Sequence, residues 1–245
     1  MSEAAKTAVV LGVGALDGLG GQLAMYFGTR GHTVFVGGRT QKSLDNVVDA
    51  IREAGGRAEA VPTDATDQAQ VNALFVAADE SPGRLDLAIY NAGNNMPGRV
   101  IDMEPSFFEQ AWRVCCLGGF TFAQAALPRL EAGGGGCLFF TGASASLRGK
   151  AGFGAFNSAK GGLRNLAQAI AKEHGPNGVH VGHVIVDGGI DGEILKTRRP
   201  ERFREKGNEG LVSLQGLAES YAFMYQQPPA AWTFELDVRT NVENW

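Results

Sequence analysis

The sequence predicts a doubly wound α/β fold: a parallel sheet of about seven strands with helices on both faces. Three observations predict it. Strand-like and helix-like segments alternate along nearly the whole chain. The first strand, Thr7–Val13, is a continuous apolar run, as expected where both faces of a sheet are covered. That run passes directly into a glycine-rich turn, Gly14-Ala15-Leu16-Asp17-Gly18-Leu19-Gly20, and helical periodicity follows it.

The remaining elements follow in order. Gly18–Arg30 reads as the first helix and Thr33–Gly37 as the second strand. Leu44–Ala54 is helical and stops at Gly55-Gly56. Ala58–Pro62 is a third strand, Val71–Asp79 a third helix and Leu85–Tyr90 a fourth strand. A long helix covers about 106–130, a glycine loop fills 133–136, and Cys137–Thr141 is the fifth strand. Phe153–His174 is a second long helix and Val179–Val186 the sixth strand. Glu193–Lys206 and Leu214–Tyr225 read as helices, and Trp232–Val238 alternates as a last strand. The 245 residues suit one domain, 1–245. Within it, 190–212 reads as a substrate-side helical insertion and 239–245 as a C-terminal tail.

Composition narrows the function classes. Hydrophobic residues make up 44% of the chain, which argues against disorder. A net charge of −4 argues against a nucleic-acid surface, which needs clustered cations. The one basic run, Lys196, Arg198, Arg199, Arg202, Arg204 and Lys206, is interrupted by acids and reads as a solvated helix face. Cys115, Cys116 and Cys137 give neither a disulfide framework nor metal-ligand spacing, so no metal is expected and a reducing compartment fits. Met1–Lys6 holds no apolar signal core and no run is long enough for a membrane span. A cytoplasmic protein without membrane partners is the expectation.

The glycine-rich turn carries the first chemistry. Its glycines let backbone approach a pyrophosphate, and the helix that follows offers unpaired N–H groups to the phosphate oxygens. Gly14, Leu16, Gly18, Leu19 and Gly20 are the expected cofactor-binding backbone. A purely structural turn is the alternative. At the end of the second strand, Gly38 stands where an NAD site of a Rossmann fold carries an acid for the ribose 2′-hydroxyl, and Arg39-Thr40 follow. A guanidinium pairs with a 2′-phosphate, so NADP is favoured and NAD remains possible. Asp17 is a counter-signal, and Arg39 as an exposed charge leading a helix is the plainer alternative.

With Gly-x-x-x-Gly-x-Gly in strand–turn–helix context, the chain resembles the short-chain dehydrogenase/reductase family over about residues 7–240. Further stations agree: Asp64-Ala65 after the third strand, Asn91-Ala92-Gly93 after the fourth, and Lys160 on the second long helix. The resemblance implies that Asp64 and Ala65 meet the adenine, that Asn91, Ala92 and Gly93 line the cofactor, and that Lys160 holds the nicotinamide ribose. It places Gly188 and Ile190 beside the nicotinamide. It also implies a homodimer or homotetramer built on the two long helices.

The family's proton-handling residues are largely absent. Its usual chemistry uses an Asn, a Ser and a Tyr-x-x-x-Lys pair. In Phe156-Asn157-Ser158-Ala159-Lys160, Phe156 stands at the Tyr station. Ala143 stands at the Ser station, with Ser144 one residue on, and Cys115 at the Asn station. A benzyl ring has no proton to exchange. Positioned acid/base groups are worth about 10²–10⁴-fold in rate, so the resemblance alone does not carry the activity. Lys160 is the one catalytic station kept, and Ser144 and Asp187 are the candidate substitutes. Asp187 either acts as a base at a strand's carboxyl end or merely caps an Asp-Gly-Gly turn. His183 is expected to pack inward, and Ser144 to donate to substrate or bond its own loop. Phe156, Ala143, Asn94, Asn95 and Met96 are the expected substrate pocket, apolar in the main.

Three functions are compatible with these residues. The first is an NADP-dependent oxidoreductase of a small, apolar carbonyl or alcohol with a non-standard proton donor. The second is a non-redox lyase, isomerase or cyclase on the same scaffold. The third is a dinucleotide-binding protein without chemistry.

Overall fold

The computed structural model describes residues 5–243 apart from Arg199. The expectations for Met1–Ala4, for Arg199, and for the tail at Asn244 and Trp245 lie outside the described residues, as do those for the side chains of Arg198, Arg202 and Lys206.

Seven parallel strands form the sheet. In chain order they are β1 (Lys6–Leu11), β2 (His32–Gly38), β3 (Arg57–Pro62), β4 (Arg84–Tyr90), β5 (Gly136–Ala143), β6 (Val179–Asp187) and, after two short strands, β9 (Glu235–Arg239). Their spatial order is β3-β2-β1-β4-β5-β6-β9. The direction of winding reverses between β1 and β4, so the carboxyl ends of these two strands open a crevice. The doubly wound architecture predicted from alternation is the one observed.

The five inner strands, β1, β2, β4, β5 and β6, are buried on both faces, while the edge strands β3 and β9 are half-exposed, and alternate residues feed two cores. Ala8, Val10, Val34 and Val36 pack under α1 (Leu19–Gly28), α2 (Gln41–Glu53) and α9 (Leu214–Tyr225). Val9, Leu11, Phe35 and Phe140 pack under α3 (Gln68–Asp79), α5 (Gly118–Ala132) and α6 (Gly154–His174). Asp67 caps α3 by accepting from the amides of Ala69 and Gln70, as its position before the apolar periodicity requires.

Three segments differ from the sequence expectation. The long helix at about 106–130 is α4 (Pro105–Trp112) joined to α5 through one π-helical turn, Arg113–Leu117. The Tyr90 hydroxyl reaches from β4 and donates to the carbonyl of Val114 inside that turn. An outside donor thus holds a carbonyl that a regular helix would bond internally. The single helix expected over 193–206 is two helices, α7 (Glu193–Arg198) and α8 (Pro200–Lys206). Pro200 opens the second, where its missing N–H costs nothing. Between β6 and α9, β7 (Gly189–Ile190) pairs in parallel with β8 (Leu211–Val212), so both ends of the 190–212 segment are tied together.

Candidate functional site

The glycine turn lies at the carboxyl end of β1. A Cβ on Gly20 would lie 2.6 Å from the Gly12 carbonyl oxygen and 3.0 Å from Asn91 Nδ2, so the start of α1 presses directly on the strand end. A Cβ on Gly14 would meet nothing within 4 Å. Gly14 therefore borders open space, while Gly20 closes the packing behind it. Gly18 precedes α1 with extended backbone and no side-chain cap, which leaves the first-turn amides of Leu19 and its successors available to an anion. These features fit a dinucleotide diphosphate. From the other side, the Glu193 amide donates to the Asp17 carbonyl at 2.8 Å, and α7 rests on the turn.

Asn91 clamps three strands. Its Nδ2 donates to the Gly12 carbonyl at 3.0 Å and its Oδ1 accepts from Thr141 Oγ1 at 2.9 Å. Thr141 is also bonded to the buried Tyr221 hydroxyl at 2.6 Å. Ala92 and Gly93 continue the loop past this clamp, followed by Asn94, Asn95 and Met96, of which Asn95 and Met96 are exposed.

At the end of β2, Gly38 has no room for a side chain. A Cβ there would lie 2.1 Å from the Val13 carbonyl oxygen. Arg39 and Thr40 follow, both exposed. Asp64, after β3, accepts from the backbone amide and hydroxyl of Thr66, each at 2.8 Å. The amide bond is the largest influence holding its carboxyl below the usual carboxylate range; the nearby Arg39 guanidinium adds to it. Ala65 is buried beside it.

Lys160 lies on α6, four residues after Phe156, so both face the same way. Its ammonium is buried and donates to the Thr141 carbonyl at 2.7 Å. It belongs to no ion pair among the described residues. Burial lowers its pKa below the ordinary lysine value of 10.5. A Cβ on Gly93 would lie 3.5 Å from Lys160 Nζ and 3.9 Å from Cys115 Sγ, so the Asn91–Gly93 loop, Cys115 and Lys160 meet at one place.

Around this ammonium the wall is apolar. Phe156, Cys115 and Ala159 pack as one cluster with Ala143 and Ala145. The three stations aligned on sequence grounds, Cys115, Ala143 and Phe156, therefore come together in space beside Lys160. Cys115 sits in the π-helical turn and donates its thiol to Asn94 Oδ1 at 3.3 Å. Burial pushes the neighbouring Cys116 thiol up to about 11.

Ser144 begins a short 3₁₀ turn after β5, half-buried, and among the described residues its hydroxyl makes no hydrogen bond. Asp187 is the last residue of β6 and is buried. It caps no turn of its own: Arg148 Nη2 donates to both its oxygens at 3.0 and 2.8 Å, and Arg239 Nη1 lies 3.7 Å away. Gly188 and Ile190 follow it, partly buried, with Ile190 in β7.

Two sets of contacts near the site were not foreseen from the sequence. Arg148 gave no motif signal, because its partner Asp187 lies 39 residues away. Ser146 is buried and lies 3.4 Å from His183 Nε2, while His183 Nδ1 lies 3.0 Å from Glu235, which Arg164 holds with two hydrogen bonds. Burial pushes the His183 imidazole down to about 4, so it is neutral near pH 7 and Nδ1–H donates to the carboxylate. A cavity of about 520 Å³ lies elsewhere: Thr33, Arg52, Arg57 and Pro82 are among the residues that line it near the amino ends of β2 and β3.

Fold and site together define a doubly wound α/β protein with a glycine-rich turn and a buried lysine at the strands' carboxyl ends. The chain belongs to the short chain dehydrogenase family, whose model matches residues 6–202. It is an oxidoreductase of that family. It is 29% identical over 232 residues to the 7alpha-hydroxysteroid dehydrogenase of Escherichia coli K12, covering 93% of this chain and 89% of that one. The crystal structure of a short-chain dehydrogenase from Rhodopseudomonas palustris superposes with a TM-score of 0.82 at 34% identity, over 97% of this chain and 99% of that one. A 7 alpha-hydroxysteroid dehydrogenase complexed with NADH and 7-oxo glycochenodeoxycholic acid gives 0.86 at 25% identity, over 97% and 94%. Among the described residues no group of His, Cys, Asp and Glu is arranged for a metal ion, and no helix is long and apolar enough to cross a membrane.

Proposed function

We propose that this protein is an NADP(H)-linked oxidoreductase in which Lys160 handles the proton that a tyrosine handles elsewhere in the family. The substrate is a small carbonyl or alcohol with an apolar body. A bound nicotinamide supplies or accepts the hydride. One observation carries the reading: the Lys160 ammonium is buried beside Cys115, Phe156 and Ala159, is paired with no acid among the described residues, and has a lowered pKa.

The chain's own residues divide the work. Gly14, Leu16, Gly18, Leu19 and Gly20 offer backbone to the diphosphate. Arg39 and Thr40 receive a 2′-phosphate, because Gly38 has no space for the acid that a 2′-hydroxyl calls for. Asp64, Ala65, Asn91, Ala92 and Gly93 shape the cofactor groove, and Gly188 and Ile190 close it near the reacting ring. Ser144 keeps its hydroxyl free to donate to the substrate oxygen. Lys160 passes a proton to that oxygen in reduction and takes one in oxidation; its lowered pKa brings the two forms nearer balance. Phe156, Ala143, Asn94, Asn95 and Met96 line the substrate side. Asp187 holds guanidiniums in place and is not the base in this reading. The exposed Phe108, Trp112 and Phe120 on α4 and α5 support a homodimer or homotetramer.

Stopped-flow mixing of the enzyme and NADPH with a panel of aromatic and aliphatic carbonyls tests this. Loss of the nicotinamide absorbance with at least one carbonyl, absent in Lys160→Met, is expected. Tight NADPH binding with no hydride transfer across the panel overturns the reading. Product formation at constant absorbance would favour the non-redox alternative, which the hydroxyl-free wall of Cys115, Ala143 and Phe156 motivates.

A further inference from the structure

Arg148 is more than a counter-ion. Asp187 is only 3% exposed, and a buried carboxylate needs a partner. Arg239, whose side chain is 19% exposed and which also binds Asp237, already lies 3.7 Å from it. Arg148 contacts the same carboxylate through Nη2 alone. Its Nε and Nη1 have no hydrogen-bond partner among the described residues, and its side chain is 43% exposed. A guanidinium normally meets a carboxylate with a two-nitrogen fork. Here one nitrogen is anchored to a rigid strand end and the other donors stay available.

The position of this cation matters. Arg148 lies just past the Ala143–Ser146 segment that leaves β5, Asp187 ends β6 and Arg239 ends β9. These three strands are neighbours in register, with Ala143 opposite Val186 and Asp187 opposite Arg239, so all three residues stand at the rim where ligands bind in such sheets. Ala143 and Ala145 of the same segment pack with Phe156 and Cys115. Of the acids at this end, Asp187 and Asp237 are engaged by arginine, and the Glu243 carboxylate stands close by, its Oε2 3.6 Å from where a Cβ on Gly188 would lie.

We propose that Arg148 recognises a carboxylate on the substrate, so that the substrate class is an oxo or hydroxy acid with an apolar body. Asp187 acts as a positioning residue that fixes the guanidinium, and the loss of freedom is settled before the ligand arrives. This inference deepens the oxidoreductase reading and takes from it only which crevice holds substrate.

The test is calorimetric titration with benzoate and with its neutral isostere benzamide, with and without saturating NADPH. Wild type is expected to bind benzoate at least 10-fold more tightly than benzamide. Arg148→Gln is expected to abolish that preference and Arg148→Lys to keep part of it, with NADPH affinity unchanged in both. The proposal is overturned if benzoate binds no better than benzamide, binding of neither included, or if Arg148→Gln retains the preference. NADPH titrated on the same samples reports separately on the cofactor reading: a benzoate preference without NADPH heat would sink that reading and leave this one standing.

Discussion

Lys160 Nζ donates to the carbonyl oxygen of Thr141 at 2.7 Å, so the ammonium is fixed to the end of β5 rather than to an acid. Thr141 in turn is clamped by Asn91, and Asn91 by the strand before the glycine turn. The candidate acid/base group and the strand end that leads into the glycine-rich turn are thus parts of one hydrogen-bonded unit.

The first prediction concerns the pH profile of that ammonium. Burial favours the neutral amine, so its pKa lies below the ordinary 10.5. In reduction the charged form is the acid. The reduction rate should therefore fall as pH rises through this lowered value, and the oxidation rate should rise. Lys160→Met should remove the pH limb and lower kcat by about 10²–10⁴-fold. Steady-state kinetics between pH 6 and about 11, at saturating NADPH for reduction and saturating NADP+ for oxidation, checks both; an unchanged profile in the variant would contradict the assignment.

Cofactor choice gives the second. Arg39→Ala should weaken NADPH by ~10–100-fold, as expected for one charge-assisted contact, and leave NADH nearly unchanged. Gly38→Asp should not switch preference to NADH. Its Cβ would fall 2.1 Å from the Val13 carbonyl oxygen, so the variant loses stability instead. Titrations with both nucleotides, alongside thermal melts, separate these effects.

Third, acid should destabilise the fold through His183. Its folded pKa is about 4 against 6.5 unperturbed, so below pH 6.5 the unfolded chain takes up a proton that the native ring refuses. Stability is complete above pH 6.5 and falls toward pH 4, by roughly 3 kcal/mol from this residue. Glu235, held low chiefly by its Arg164 hydrogen bond, loses stability in the same direction as it is protonated. Urea unfolding of wild type and His183→Asn at pH 7 and at pH 4.5 should show a shallower pH dependence in the variant. The ring also fills the place of a side chain at 142, where a Cβ would lie 2.4 Å from it. Gly142→Ala should cost about 1–3 kcal/mol in wild type and less in a His183→Ala background.

The fourth prediction restores the absent hydroxyls. Phe156 and Ala143 already pack together beside Lys160. Phe156→Tyr with Ala143→Ser should raise carbonyl reduction by about 10²–10⁴-fold over wild type. No gain in a folded, NADPH-binding double variant would mean that the crevice has diverged beyond these two side chains.

Much of this was legible in the chain. Alternating apolar periods and glycine stops gave the order of elements, because the inner strands are buried on both faces and the helices bury one face against them. The Gly14–Gly20 turn and the Phe156/Lys160 spacing were legible because their geometry is local. What escaped depends on contacts between distant segments. The π-helical turn at 113–117 answers to Tyr90, a strand away. The Arg148–Asp187 pair exists only because β5 and β6 run side by side. The Ser146–His183–Glu235 chain needs three elements to meet. The break between α7 and α8 was readable at Pro200, and the basic pattern running across it obscured it.

The most direct test of the central claim is titration calorimetry of the purified protein with NADPH and NADH, in wild type and in Lys160→Ala. Saturable heat with NADPH, weaker heat with NADH, and at least 10-fold poorer NADPH binding in the variant is the predicted result. No heat with either nucleotide at millimolar concentration would contradict the account at its base.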